Sequence, residues 1–212
     1  MGMDIAVFAN HKIDFSTSDK NITAKTIKVV LDNLTINNLY EIKTQIRSYY
    51  DWEGYNDEIR NDWYKKIDNW AGNEWNYYMD DDWENSIKIN FHGPFNLNIS
   101  FTNNIIQFYD PGYRYFTFFG MDKKYRVEWR KYYYQVISQF GGCFALYLPD
   151  QGEVATEFTE KIWDYDTDLD LIIKGLIEKY GENKIGIDDF PVDENDSVDP
   201  PYYFIDYFEG LK

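Results

Sequence analysis

The sequence predicts an α+β chain, an antiparallel sheet flanked by helices, and three observations carry that prediction. Within residues 87–119, apolar and polar residues alternate in short runs separated by turn residues, which is the period of half-buried strands. Around that block, apolar residues recur at spacings of three and four over 122–140 and 168–180, the period of helices with one buried stripe. Hydrophobic residues make up 44% of the 212 positions, enough for one domain that hides roughly 70% of its unfolded surface without a metal or disulfide.

Residues 3–9, MDIAVFA, read as a first strand. ITAKTIKVVLDNL follows as a helix with Ile27, Val30, Leu31 and Leu34 on one side and Ser18, Asp19 and Asn21 at its entry. Between 39 and 50, Leu39, Ile42, Ile46 and Tyr49 or Tyr50 keep a helical spacing. NDEIRNDWYKKIDNWAG has a cap at Asn56, acids at Asp57 and Glu58, Lys65 and Lys66 near its end and Gly72 beyond, the charge order that complements a helix dipole.

In IKINFHG and LNISFT, Ile87, Ile89, Phe91, Leu97, Ile99 and Phe101 alternate with polar residues. Asn103-Asn104 then makes a two-residue turn into IIQFY, because Asn tolerates the positive φ of tight hairpins. YRYFTFF continues the meander after the DPG turn at 110–112. The helix near 122–140 presents Tyr125, Trp129, Tyr132, Tyr133, Val136, Ile137 and Phe140 and stops at Gly141-Gly142. CFALYL gives a strand near 143–148. A loop leads to the helix near 168–180, opened by Thr167 with Asp170 in capping-box spacing and closed by Gly181. VDENDSVDPP reads as a solvated loop, and YYFIDYF near 202–208 returns as a last strand. The chain is taken as a single domain, 1–212. A weak boundary near residue 85 would divide a mostly helical portion, 1–85, from a sheet-and-helix portion, 86–212.

Composition bounds the function. One cysteine, Cys143, makes no internal bridge, the start MGMDIAVFANHK lacks an export signal, and no apolar run approaches the length of a membrane span, so a cytoplasmic location without membrane association is expected. A myristoylation reading of Gly2 fails because Ala6 stands where Ser or Thr is required. A formal charge of −16 combined with 20% aromatic residues marks a folded chain rather than an acidic tail. Such a field repels phosphate backbones, so nucleic-acid binding is not expected, and it speeds encounter with basic partners.

No catalytic constellation is spelled out. GxSxG, GxGxxG and GxxxxGKS/T do not occur, and two histidines and one cysteine fall short of a zinc set. DYDTDLD, 164–170, spaces Asp as a calcium loop does, but Leu169 and Gly175 occupy the positions that need Gly and Glu. Helix capping accounts for that run. Cys143 opens an apolar strand and is read as a buried small hydrophobe. His92, at a strand end, is a general-base candidate without a visible partner. Lys123, Lys124, Arg126, Arg130 and Lys131 form a basic cluster on the polar side of their helix and are read as neutralising the acidic remainder. No catalytic residue, metal or cofactor is therefore expected.

The candidate binding segment is NEWNYYMDDDWE. From Asp51 to Glu84, eleven acids face Arg60, Lys65 and Lys66, a net of −8 and half the charge of the chain. Trp52, Tyr55, Ile59, Trp63, Ile67 and Trp70 form a core-facing stripe, after which the period is lost. Trp75, Tyr77, Tyr78 and Trp83 then stand among Asp80, Asp81, Asp82 and Glu84. Exposed rings give contact area at low entropic cost, and acids select a basic partner. A wet loop with its rings folded back on the core remains the plain alternative.

The succession YRYFTFF, Arg126 and Arg130 on a helix ending QVISQFGG, CFALYLPDQ and a further amphipathic helix resembles the cytoplasmic immunity proteins carried beside bacterial polymorphic toxins, over about residues 85–180. The resemblance implies a non-catalytic antidote that binds a cognate toxin domain and blocks it. It transfers no individual residue role. A carbohydrate-binding or glycoside-cleaving domain, with Trp75 and Trp83 as sugar platforms and paired carboxylates, is the alternative, and a scaffold without a dedicated ligand is a third.

Overall fold

A computed structural model of the chain describes residues 5–16, 19–34, 42–44, 47, 56–70, 75–80, 88–93, 97–109, 123–149, 153–182 and 203–211. These residues form an α+β architecture. Seven strands, β1 (Ile5–Asn10), β2 (Asn76–Asp80), β3 (Lys88–His92), β4 (Asn98–Phe101), β5 (Ile105–Tyr109), β6 (Ala145–Pro149) and β7 (Phe204–Asp206), make one sheet in the order β2-β3-β4-β5-β1-β6-β7. Every pairing is antiparallel. Five helices accompany it: α1 (Lys20–Asn33), α2 (Asp57–Asn69), α3 (Lys123–Gln139), α4 (Glu160–Tyr165), continuous with a π-helical turn at Ala155–Thr159, and α5 (Leu169–Tyr180).

The two faces of the sheet are buried differently. Val7 and Ala9 of β1 join Ile89, Phe91, Ile99, Phe101, Ile106, Phe108 and Tyr147 in a core closed by α1, α2 and α3. On the opposite face Ala6 and Phe8 join Ile105, Leu146 and Leu148 beneath Phe158, Ile162 and α5. The strands β1 and β6 are buried on both sides, which explains why IAVFA and ALYL are continuous apolar runs while KINFH and NISF alternate. Gly175 interrupts α5 where a Cβ would come within 2.9 Å of the Phe158 ring; its helix-propensity cost of about 1 kcal/mol is offset by that close approach.

Local chemistry sets the boundaries. Asp19 caps α1 by accepting from Asn21 N at 2.9 Å, and Asn56 caps α2 by accepting from Ile59 N at 3.0 Å. The cap of α5 is Asp168, accepting from Asp170 N at 2.8 Å. This corrects the expected Thr167, whose hydroxyl instead donates to Lys161 O at 3.0 Å. The anticipated strand at 113–119, most of the helix at 39–50 and the acidic loop at 192–201 lie outside the described residues. Two elements were not expected: β2, and the helix that includes α4, which fills what the sequence reads as a loop.

Two buried polar clamps fasten the layers. Arg130 Nε and Nη2 donate to Asp206 Oδ2 and Oδ1 at 2.6 and 2.8 Å, joining α3 to β7, and Asp206 Oδ1 also accepts from Phe208 N at 2.8 Å. The second clamp holds the β4–β5 turn. Asp166, in the left-handed region at φ 48°, accepts from Thr102 Oγ1 and from Asn103 N at 3.1 Å, while its carbonyl accepts from Asn104 Nδ2 at 2.8 Å. From the other side His11 Nε2–H donates to Thr102 O at 2.9 Å, and His11 Nδ1 accepts from Ile13 N at 3.1 Å.

Removing Arg130 leaves the buried Asp206 carboxylate without its guanidinium, and removing Asp206 takes two charge-assisted hydrogen bonds from Arg130. Arg130→Ala and Asp206→Ala should each lower unfolding free energy by about 3 kcal/mol or more, with strongly non-additive effects in the double variant, measured by urea unfolding.

His11 generates a pH dependence. Both ring nitrogens are used by the neutral form, and burial holds its pKa below 6.5, partly opposed by the Thr102 carbonyl. As pH falls the unfolded chain takes up this proton first. The contribution is therefore complete above pH 6.5 and is lost as pH falls from there through the folded-state value. Urea midpoints measured at intervals below neutrality should show a steeper loss for the wild type than for His11→Gln.

Candidate functional site

The segment 75–80 is an edge strand rather than a loop. Trp75, Tyr77 and Met79 point to the large core, and Asn76, Tyr78 and Asp80 occupy the other face. Trp75 is 1% exposed. Its ring lies against Gly93, where a Cβ would come within 2.8 Å of it, and its backbone N–H donates to Asp32 Oδ1 of α1 at 3.3 Å. Trp75 is thus a core anchor, which corrects its place in an exposed recognition patch. Tyr77 is half-buried, tilted against Phe91 at 5.7 Å between ring centroids.

Tyr78 is different. It is 51% exposed and stacks on His92 at 4.9 Å with an interplanar angle of 14°. The pair is a diagonal one, since Tyr78 lies opposite Asn90 and Asn76 opposite His92. His92 is held in turn by Asn98, with Nδ1 2.7 Å from the amide oxygen Oδ1. With its ring oriented by that amide, His92 serves as a stacking platform for Tyr78. Asp80 pairs in register with Lys88. The Lys88 ammonium reaches across β4 to Tyr109, donating to its hydroxyl at 3.2 Å.

Beneath these groups runs a row of polar residues. Tyr78, Asn90, Ser100 and Gln107 lie opposite one another on successive strands, and the same row continues through Phe8, Leu146 and Ile205. Asn90, Ser100 and Gln107 are buried, with Ser100 Oγ donating to Asn90 Oδ1 at 2.6 Å. The second face therefore changes from apolar to polar at Gln107.

Of the residues singled out for partner binding, the structure brings Tyr78 and Asp80 onto this polar face and sets Trp75 and Tyr77 on the opposite one. Asp81, Asp82, Trp83 and Glu84 lie outside the described residues. His92, Asn98, Lys88 and Tyr109 complete the surface and were not foreseen as part of it. The signal for them was the alternation of IKINFHG and LNISFT, which puts their polar members on one face.

The other candidates have structural roles or different settings. Cys143 is exposed, not buried, and its N–H donates to Asn10 Oδ1 at 3.3 Å. Arg126 is buried, Arg130 holds Asp206, and Lys131 pairs with Glu128 at 2.7 Å; the cluster is not a free basic stripe. Asp166 and Asp168 are used by the hairpin clamp and the cap. Among the described residues no group of three or more His, Cys, Asp or Glu is arranged to hold a metal ion, and no helix is long and apolar enough to cross a membrane. The groove between α1 and α3, lined by Val29, Val30, Leu34, Tyr134 and polar Asn33, Gln135, Ser138 and Gln139, offers no carboxylate, imidazole or thiol among the described residues.

No family model, curated protein or solved structure matches this chain. The β2 border consequently stands on its own geometry: an exposed ring, an imidazole beneath it, amides beside it and a run of acids following in sequence.

The opposite settings of the two rings predict opposite costs. Trp75→Ala should destabilise the fold by about 3–5 kcal/mol, whereas Tyr78→Ala should change stability by no more than about 1 kcal/mol, both read from urea unfolding curves.

Proposed function

We propose that this chain is a non-catalytic inhibitory binding protein, an immunity protein that acts in the bacterial cytoplasm and occludes the active site of a basic toxin domain. The observation that carries the reading is Tyr78, half exposed at the sheet border and separated by Met79 alone from Asp80, Asp81 and Asp82 in a chain of net charge −16. Carboxylates occupy the positions that substrate phosphates would take on a cationic nuclease-type surface, and the ring supplies contact area beside them. Long-range attraction raises the association rate and makes it salt-sensitive; the aromatic contact slows release.

The resemblance over residues 85–180 supports the same reading. The carbohydrate alternative loses one of its two platforms, because Trp75 is in the core. Hydrogen-bonding and stacking groups gather at the β2 border, while the polar groups of the α1–α3 groove include no acid–base pair.

Co-expression with the toxin domain encoded beside this chain should restore growth of the host cell. Replacing Asp80, Asp81 and Asp82 together by Asn should weaken the purified complex about tenfold or more at low ionic strength and flatten its salt dependence, measured by titration calorimetry. Failure to rescue growth, together with turnover of a substrate by the purified chain, would overturn the proposal.

A further inference from the structure

Between β1 and α1 the sequence HKIDFS alternates in polarity, and the folded chain uses that alternation outside the sheet. His11, Ile13 and Phe15 are half-buried, while Lys12, Asp14 and Ser16 are exposed. Ile13 and Phe15 pack on the border of the large core. Both flanks of this segment are fixed, because Asn10 pairs with Ile105 in the sheet and Asp19 caps α1. In between, Lys12 N–H donates to Phe140 O at 2.8 Å. The imidazole of His11 adds two ties, donating from Nε2 to Thr102 O and accepting at Nδ1 from Ile13 N.

Those two ties require a neutral ring with its proton on Nε2. A second proton, on Nδ1, leaves the Thr102 bond in place and destroys the other, since two N–H donors then face each other across 3.1 Å. The charge also arrives beside the rings of Phe15 and Phe101, whose centroids lie 5.5 and 6.2 Å from the imidazole. The charged groups around it are engaged elsewhere or of the wrong sign. On its own segment Lys12 is a cation, and Asp14 accepts from Ser16 N at 2.8 Å. Beyond the turn, Asp166 is held by Thr102 Oγ1 and Asn103 N. The residues that α1 and the end of α3 bring to the neighbouring cleft, among them Ile22, Thr26, Val30 and Gln139, are uncharged. Burial is the largest influence on the proton affinity of this ring.

We infer that His11 is a proton-operated latch: its protonation releases residues 11–16 as a unit while the sheet stays folded, and so opens in acid the cleft of about 530 Å³ that Ile13 borders together with Ile22, Ile27 and Phe140. The closed form binds the proton weakly, and the released form binds it as an ordinary imidazole does, with a pKa near 6.5. The opening equilibrium is therefore constant above that value and rises by up to about tenfold for each pH unit below it, until the folded-state value is passed. β1 is exempt, because IAVFAN contains no titratable residue and its central residues are buried in both cores. The global loss of stability in acid is thus preceded by a local one at a single segment.

Amide hydrogen exchange on the full chain tests this, with rates expressed as protection factors so that the intrinsic pH dependence of exchange cancels. Protection at Lys12 and Ile13 should hold steady near neutrality and fall about tenfold or more by about pH 5, while Val7 and Phe8 keep theirs. His11→Gln offers a donor and an acceptor but takes up no proton in this range, and should show the same protection at Lys12 and Ile13 throughout. Unchanged wild-type protection at Lys12 and Ile13, a parallel fall at Val7 and Phe8, or an unaltered pH profile in folded His11→Gln overturns the inference. Should that variant not fold, the wild-type comparison of Lys12 and Ile13 with Val7 and Phe8 decides alone.

Discussion

The structure depends on β1 being buried on both faces. Its four central residues divide between the two cores, Val7 and Ala9 toward α1 and α3, Ala6 and Phe8 toward α4 and α5. β6, paired to it on one side, is likewise apolar and buried on both faces, whereas β5, paired on the other, sets Gln107 opposite Phe8. At roughly 25 cal/mol per Å² of apolar area removed from water, two cores sharing one strand tie the helical layers to each other through the sheet. A polar substitution at Val7 or Ala9 would therefore disturb the first core, and one at Ala6 or Phe8 the second.

Moving outward along the sheet, the second face escapes this demand. The row that reads Phe8, Leu146 and Ile205 on one side of β1 reads Gln107, Ser100, Asn90 and Tyr78 on the other. Asn90, Ser100 and Gln107 are nonetheless buried. Amides and a hydroxyl instead satisfy one another, as in the Ser100–Asn90 hydrogen bond, since an unpaired polar group there would cost about 1–3 kcal/mol. The first face stays packed out to Trp75, so the border is rigid on one side and hydrophilic on the other. That asymmetry lets an exposed ring such as Tyr78 stand in a fixed place.

Much of this was legible in the residues, and the parts that were not share a cause. The helices expected at 122–140 and 168–180 are Lys123–Gln139 and Leu169–Tyr180, and the Asn103-Asn104 turn joins β4 to β5, although neither asparagine takes the positive φ that was the reason for expecting it. These are local signals. β2 was hidden because Tyr77 and Tyr78 are both rings, so the strand's alternation does not appear as apolar and polar, and the aspartates after it read as solvent. Burial of Trp75 depends on Gly93, which is adjacent only in the folded chain. The helix through Ala155–Tyr165 spaces Val154, Phe158 and Ile162 correctly, yet two threonines, three acids and a π-helical turn dilute the period. Asp166 gave no sign of its left-handed conformation or of the distant turn it holds. Of the site, the sequence offered Tyr78 and Asp80; which rings faced inward was a tertiary fact.

The ion pairs explain why the negative charge remains available outside. Several basic side chains pair with acids of the same chain: Lys28 with Asp32, Arg47 with Asp68, Arg60 with Asp57, Lys131 with Glu128, and Lys179 with both Glu153 and Glu157. The two carboxylates beside Lys179 raise its pKa further above the usual lysine value. Such surface pairs add little stability individually. What they do is consume counterions. With 37 acids against 21 Lys and Arg, each internal pair cancels one of each sign and leaves the net charge of −16 unchanged. Half of that surplus belongs to residues 51–84, the stretch that contains β2.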